Sequence, residues 1–263
     1  MHQSLIRLSS ILGIAGVSLL AGPSFLSFPT PHSLFQPPAA IALAPETLAE
    51  KLDSVLLFTI AAESRRPLVR QVTLEGQSGP VNIVSVFVSR NDAQASLEQI
   101  KANQPDIGSS LQVTPVTLGE IYELNQKDSS EEQNLRFLYI PTKQQIDAAR
   151  AVLQAQGETD REFSGVPLFL AKGSDNNYLM VQDENRRAIP VFFLREDLQQ
   201  MIDFYKAQQS DLQSVQIEVI PLEGLLQALQ DESSEFFELM EFVLPRETLE
   251  FIRQGQTSRQ SGN

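Results

Sequence analysis

The sequence predicts a mixed α/β fold (α+β) in which two duplicated halves are related by a pseudo-twofold axis. Residues 86–92, VFVSRND, return as residues 191–197, VFFLRED, and the match continues to residues 128–131 (DSSE) and 232–235 (ESSE). In both copies, short apolar runs bounded by turn residues come before an apolar pattern of helical period. We therefore expect each half to contain a strand hairpin, a helix, a further strand and a closing helix.

Each half is predicted to begin with two short strands, a polar turn and the repeated strand, which together suit a hairpin. These strands cover residues 55–58, 72–74 and 81–88 in the first half, and residues 166–169, 178–181 and 189–194 in the second. A helix follows, because apolar residues recur at helical spacing in both copies. The residues that carry this spacing are Ala93, Leu97 and Ile100 in one copy and Leu198, Ile202 and Tyr205 in the other.

The later part of each half is predicted as a strand, a short helix, a last strand and a closing helix. The first three cover residues 111–116, 118–124 and 136–140 in one half, and residues 215–220, 222–229 and 239–244 in the other. Pro141 and Pro245 end the last strands, because proline cannot continue a ladder but suits the first turn of a helix. Propensity alone would make residues 233–244 a helix, whereas the repeat makes their end a strand; we adopt the repeat.

Four segments are expected: residues 1–42 as a signal peptide, 43–156 and 157–254 as the two halves, and 255–263 as a disordered tail without apolar residues. The leader has one charged residue, Arg7, before a short apolar run, and a small-x-small site ends at Ala42. Cleavage there predicts an exported protein. The alternatives are a membrane anchor, for which the run falls short of about 20 residues, and a plastid transit peptide, which is usually richer in arginine.

Composition excludes several classes of function. Both histidines, His2 and His32, lie in the predicted leader, and the chain has no cysteine and no tryptophan. Catalysis by histidine or cysteine nucleophile systems, and zinc or haem held by these side chains, is therefore excluded from the predicted mature chain. We expect no cofactor, no metal and no catalytic residue. The formal net charge of -13 also argues against nucleic acid and against anionic membrane surfaces as partners.

The ordered set of motifs resembles one known family over about residues 48–253. The motifs are GVPLF at residues 165–169, IPVFF at 189–193, EDL at 196–198, and the VFVSRNDA segment at 86–93. They are similar to the 22-kilodalton subunit of the Tic translocon of the inner chloroplast envelope, in its cyanobacterial form. The resemblance implies a fold of two similar halves with apolar pockets and a role without catalysis. Plastid members are soluble intermembrane-space proteins that help preproteins across, whereas cyanobacterial members act in outer-membrane biogenesis from the periplasm or thylakoid lumen.

The resemblance favours a chaperone-like protein that assists translocation by shielding apolar segments of exported clients. The partners would be unfolded exported or outer-membrane β-barrel proteins and translocon components, without stable membrane insertion of the mature chain. Apolar residues beyond the needs of a helix stripe or strand face are the candidate client contacts: Phe236, Phe237, Met240, Phe242, Phe193 and Tyr139. The alternative is an assembly or scaffold factor that docks one folded partner at a membrane complex. A carboxylate-dependent glycan hydrolase is disfavoured, because such pockets normally use aromatic platforms and this chain has no tryptophan and few tyrosines.

Overall fold

The structure is a computed structural model that describes residues 6–9, 51–73, 79–127, 135–158, 162–173, 176–182, 187–208, 214–231 and 235–260. Its strands are β1 Ile6–Ser9, β2 Leu56–Ala62, β3 Val69–Thr73, β4 Pro80–Phe87, β5 Leu111–Thr117, β6 Leu135–Ile140, β7 Pro167–Lys172, β8 Leu179–Gln182, β9 Arg187–Phe192, β10 Gln216–Pro221 and β11 Met240–Val243. Its helices are α1 Arg90–Asn103, α2 Pro105–Gly108, α3 Leu118–Lys127, α4 Lys143–Ala155, α5 Arg195–Gln208, α6 Leu222–Asp231, α7 Glu235–Leu239 and α8 Arg246–Gln260.

The first half forms a mixed sheet around β4. β6 pairs with β4 in parallel along one side. Along the other side, β4 pairs antiparallel with β2 and then with β3. Because β2 and β3 both run antiparallel to β4, they form one long strand that is interrupted by the loop at residues 63–68. β5 pairs antiparallel with the outer side of β2.

The second half repeats this connectivity strand for strand. β11 lies parallel to β9, while β7 and β8 pair antiparallel with the other side of β9. β10 then pairs antiparallel with the outer side of β7. β1 lies parallel to the outer side of β8, and it has no counterpart among the described residues of the first half. The repeat in the sequence is therefore a repeat of topology, and the mixed α+β fold is confirmed.

A shared core lies between the two halves. One face of the first sheet contributes Val84 and Val86 from β4, and one face of the second contributes Leu168 and Leu170 from β7. Leu118 of α3 and Leu222 of α6, together with residues of α7, also pack into this cluster. The opposite faces of the sheets are covered by α1 and α5 respectively. Alternation of side chains along the strands supplies both faces, which explains the strongly apolar strand sequences.

The closing helices are exchanged between the halves. α4 follows the last strand of the first half, yet its buried residues Ala149, Val152 and Leu153 pack in the cluster that covers the second sheet. In return, Phe251 of α8 packs in the cluster that covers the first sheet, beside Phe58. This reciprocity is what a pseudo-twofold arrangement of duplicated halves requires, and it joins each half to the other.

The exchanged helices also cap the helices that they meet. The side-chain oxygen of Gln145 in α4 accepts a hydrogen bond of 3.0 Å from the backbone N–H of Arg195, in the first turn of α5. The carboxylate of Glu247 in α8 accepts one of 2.9 Å from the backbone N–H of Asn91, in the first turn of α1. The first N–H groups of a helix have no partner within the helix. Each half therefore satisfies such a group in the other.

The structure differs from the sequence prediction at two places near the C-terminus. Residues 235–239 are a short helix, and the strand that the repeat predicts follows as β11, at Met240–Val243. The sequence therefore carries both patterns, one after the other. α8 continues to Gln260, through a segment predicted to be a disordered tail, of which residues 261–263 lie outside the described part. A helix whose first turns are packed extends at little cost per residue, because propagation is far easier than nucleation.

The leader and the half boundaries stay predictions. Residues 10–50, which contain the predicted cleavage site, lie outside the described part of the chain, and only β1 falls within the predicted leader. Within the described ranges, none of the helices combines the length and the apolar character needed to cross a membrane.

Candidate functional site

The six residues that the sequence singled out are brought together in the shared core. The exposed fraction is 1 % for Met240, 2 % for Phe193 and 6 % for Phe237, and Tyr139 and Phe242 are also buried. The remaining residue, Phe236, is partly buried and packs against Tyr178 and Phe237, with ring centroids 4.9 Å and 5.3 Å apart. Their arrangement joins the halves. Contact between these side chains and a client stays a prediction, and Phe193 is the one of the six that also belongs to the lining of a cavity among the described residues.

Two of the six occupy the same position in the two halves. Tyr139 of β6 pairs in register with Val86 of β4, and Phe242 of β11 pairs with Val191 of β9. The ring of Phe242 stacks on Phe193, with centroids 5.8 Å apart. Burial raises the pKa of the Tyr139 hydroxyl, and that hydroxyl has no hydrogen-bond partner among the described residues. These features are typical of core packing rather than of an accessible binding surface.

An accessible cavity of about 350 Å³ lies in the first half, between α3 and the sheet. We call it the α3 cavity. Ile121 and Leu124 of α3 line one side, and Val84, Val86 and Phe137 of the sheet line the other. Leu124 is 44 % exposed, so the apolar lining reaches the surface. A concave apolar site with a few polar groups is the usual form of a binding site in proteins.

The position of α3 is fixed by a capping box at the end of β5. The carboxylate of Glu120 accepts a hydrogen bond of 2.9 Å from the backbone N–H of Thr117, and the Thr117 hydroxyl accepts one of 3.1 Å from the N–H of Glu120. The same hydroxyl donates to the carboxylate of Asp53 at 2.8 Å. The sequence signal is the Thr-x-x-Glu spacing before an apolar helix, and it predicts that a helix starts after Thr117.

The polar groups of the α3 cavity lie at two depths. Glu120 and Glu123 of α3 and Arg65 of the 63–68 loop are exposed and belong to its lining. Deeper in the lining, Thr59 donates to the backbone carbonyl of Ser85 at 3.0 Å. Thr114 is buried as well, and its hydroxyl has no partner among the described residues. The cavity therefore combines an apolar wall, a charged mouth that includes two carboxylates, and one unused hydroxyl.

A second cavity, of about 550 Å³, lies between the outer face of the first sheet and the C-terminal part of α1. We call it the β3 cavity. Residues 69–71 of β3 line it on one side, and Ile100, Gln104 and Ile107 line it on the other. Val69 is 44 % exposed and Ile107 is 49 % exposed, although both are apolar. Exposed apolar side chains beside a cavity are a feature of interaction sites more than of closed cores.

Within the second half, a partly buried carboxylate stabilises the turn that leads into β7. Glu223 of α6 accepts a hydrogen bond of 3.2 Å from the backbone N–H of Val166. Burial raises the pKa of this carboxyl above its usual value, although that hydrogen bond opposes the rise. Gly165 has φ +89°, and a β-carbon placed there would collide with the Glu223 carboxylate. Glycine is favoured at this turn because its φ is positive, and because an added β-carbon would displace the Glu223 carboxylate from its bond to Val166.

Metal binding finds no support in the geometry. Among the described residues, no group of three or more histidine, cysteine, aspartate or glutamate side chains is arranged to hold a metal ion. Beside the α3 and β3 cavities, the described residues form a cavity of about 460 Å³ that is lined by residues of both halves, Phe193 among them.

Comparison with known proteins gives a consistent result. The sequence model of the Tic22-like family matches residues 1–254. Protein TIC 22, chloroplastic, of Arabidopsis thaliana is 27% identical over 205 residues, which are 77% of this chain and 69% of that protein. Its counterpart in Pisum sativum is 26% identical over 168 residues, which are 64% of this chain. The match spans only 60% of the pea protein's length.

Two solved structures share the fold. The structure described as Anabaena Tic22 (protein transport) superposes with a TM-score of 0.71 at 28% identity, over 81% of this chain and 97% of that chain. Tic22 from Plasmodium falciparum superposes with a TM-score of 0.62 at 20% identity, over 80% of this chain and 98% of that chain. At that lower identity the second likeness shows the fold alone.

Proposed function

The chain belongs to the Tic22-like family, and from this premise we propose that it acts in protein transport as a chaperone-like protein without catalytic activity. Its clients would be unfolded exported proteins, including outer-membrane β-barrel proteins, and translocon components would be further partners. The proposed location is the periplasm or thylakoid lumen, or the plastid intermembrane space in a plant or alga. The solved relative described as a protein transport protein supports this choice of process.

The single observation that carries the proposal is the open apolar lining of the α3 cavity. Leu124 and Phe137 offer apolar surface from opposite walls, and the cavity volume of about 350 Å³ exceeds the volume of one large side chain. Burial of apolar surface contributes roughly 25 cal/mol per Å², so one side chain of a client inserted here gives weak, reversible binding. Glu120 and Glu123 belong to the same lining, and they would favour client segments with a basic residue beside the apolar one.

The mode of action follows from these features. A client segment would place an apolar side chain in the cavity, while the net negative charge of the chain keeps the complex soluble. Because the site recognises an apolar side chain and not a folded surface, many clients would share it. Release needs no chemistry, since folding or membrane insertion of the client removes the apolar segment from solution.

The test is an aggregation assay in which a urea-unfolded outer-membrane β-barrel protein is diluted with and without the purified chain. We expect suppression of light scattering at a near-stoichiometric ratio, while an unrelated acidic protein has no effect. Leu124→Asp places a charge in the cavity lining and should weaken the suppression several-fold. Leu249→Asp is the matched control, because Leu249 is similarly exposed (38 %) and lies outside the cavity lining, in α8.

The outcomes separate the two functions considered. If both variants suppress aggregation equally, clients bind at a site other than the α3 cavity, and the chaperone role stands. An absence of suppression by the unmodified chain, together with recovery of one folded partner in a pull-down, would instead support the assembly or scaffold factor.

A further inference from the structure

The outer side of β3 is an exposed sheet edge. β3 pairs with β4 along one side, from Val69 to Thr73. The opposite side of β3 continues the side of β2 on which β5 lies. The pairing of β5 with β2 ends at Ala62, before the loop at residues 63–68, so β5 does not reach β3. In the part of the chain that the structure describes, no strand continues the sheet beyond the outer side of β3. Unpaired backbone N–H and C=O groups on such an edge form a template for another strand.

The equivalent edge of the second half already carries an added strand. β8 occupies in the second sheet the place that β3 occupies in the first. On its outer side β1 pairs in parallel, from Ile6 opposite Leu179 to Ser9 opposite Gln182. β1 lies far away in the sequence and outside the repeat. While the predicted leader that contains β1 is attached, one of two equivalent edges therefore shows that this position of the fold accepts an extended segment from elsewhere.

Beside the edge lies the β3 cavity, which provides space for side chains. It is bounded by residues 69–71 of β3 and by Ile100, Gln104 and Ile107 near the end of α1 and in α2. A sheet edge that faces a groove bounded by a helix is the geometry of β-strand addition, in which the backbone gives affinity and alternate side chains fill the groove. Unlike an isolated apolar patch, such an edge also fixes the register of a bound peptide, because backbone hydrogen bonds form along its length.

We propose that the outer edge of β3 binds an extended segment of an unfolded client as an additional strand, with its alternate apolar side chains in the β3 cavity. This inference rests on the proposed chaperone function and adds a second mode of client contact. The occupant is a polypeptide that alternates apolar and polar residues, which is the pattern of a β-barrel strand. Among the residues that line the cavity, Arg70 is charged and none is acidic. The polar residues of the bound segment are therefore expected to be neutral or acidic.

Hydrogen exchange in the full chain is the direct test, with the urea-unfolded outer-membrane β-barrel protein as the probe. On binding, those amides of residues 69–73 that point away from β4 should exchange several-fold more slowly, while those in the last turn of α5 should not change. Ile107→Asp should weaken binding of the probe about tenfold and abolish the slowing. Phe204→Asp is the matched control, because Phe204 is 62 % exposed, lies in α5 and does not line the cavity. Val69→Asp is the second variant at the edge.

Disulfide trapping adds a signature that only a strand produces. The chain has no cysteine, so Gln71→Cys places a single thiol on β3, and Lys143→Cys, in α4, is its control. Against a series of probes with one cysteine at consecutive positions, the yield should alternate with a period of two. Suppressed aggregation with unchanged exchange at residues 69–73 would overturn the edge site alone. A chain that neither suppresses aggregation nor binds the probe would overturn the chaperone function and the edge site together.

Discussion

The ring of Phe251 packs edge-on against the ring of Phe58, with centroids 5.4 Å apart and planes at 79°. Phe251 lies in the last helix of the chain and Phe58 in the first strand of the first half. The guanidinium of Arg90 lies over the ring of Phe251, 5.4 Å from its centroid. Removal of the Phe251 ring therefore tests how much the contact of α8 with the first sheet contributes to the free energy of unfolding.

Phe251→Ala should destabilise the protein by about 2–3 kcal/mol, which is below the usual cost for a fully buried phenylalanine because Phe251 is only partly buried. Urea unfolding would give the free energy. Phe204→Ala removes the same atoms from a side chain that is 62 % exposed, and it should cost no more than about 0.5 kcal/mol. Equal costs for the two variants would show that α8 does not stabilise the first half.

Gln145→Ala should destabilise the protein by about 1–3 kcal/mol. The side chain is buried, and its loss leaves the N–H of Arg195 without the acceptor that starts α5. Gln144→Ala is the control, because the side-chain amides of Gln144 and Gln145 both donate to the carboxylate of Glu196, at 3.1 Å and 3.0 Å, whereas the bond to the backbone of α5 is made by Gln145. A thermal unfolding series in which the two variants match would contradict the capping role of α4.

Gly165→Ala should cost about 2–4 kcal/mol, as the sum of a positive-φ penalty and a collision with Glu223. Gly157→Ala is a matched control, because Gly157 has φ +84° but no atom within 4 Å of the added carbon, and it should cost about 1 kcal/mol. A double-mutant cycle with Glu223→Ala separates the two contributions. If Glu223→Ala recovers nothing in the Gly165→Ala background, the collision is not the cause.

Glu223→Gln should stabilise the protein at pH 7, and the gain should vanish as the pH falls. Burial raises the pKa of Glu223 in the folded state, so the folded protein favours the protonated carboxyl more than the unfolded chain does. That stabilisation is fully present below the unfolded pKa and is lost as the pH rises through the folded pKa. Glutamine resembles the protonated carboxyl at every pH. The difference in unfolding free energy between variant and parent, measured from pH 4 to pH 8, should therefore rise with pH; a flat difference would contradict the burial effect.

The combination of Phe237→Ser and Phe242→Ser should unfold the protein. Both side chains are buried in the shared core, and each change puts a hydroxyl into apolar surroundings after loss of a ring. Circular dichroism would show loss of the native signal. A folded double variant with weakened client binding would instead support the original prediction that these residues contact clients.

The order of strands and helices in each half could be predicted because the duplication provides two readings of one pattern. At residues 233–244, for example, helical period and repeat disagree, and the repeat correctly places a strand at the end. The exchange of α4 and α8 could not be predicted, because the apolar stripe of Ala149, Val152 and Leu153 shows that a helix is buried but not against which sheet. The same limit applies to Phe237 and Phe242, since an apolar excess marks shared core and exposed binding surface alike.

The exchange of closing helices has a consequence for synthesis from the N-terminus to the C-terminus. The first sheet is complete once β6 has been made, yet Phe58 meets its partner ring only when residues 246–260 have emerged. A nascent chain that ends near residue 156 would expose the face of the first sheet that packs into the shared core, together with a helix, α4, whose partner sheet does not yet exist. Contacts between residues so distant in sequence form slowly. The duplicated halves should therefore fold as one late cooperative unit, and the first half expressed alone should aggregate instead of folding.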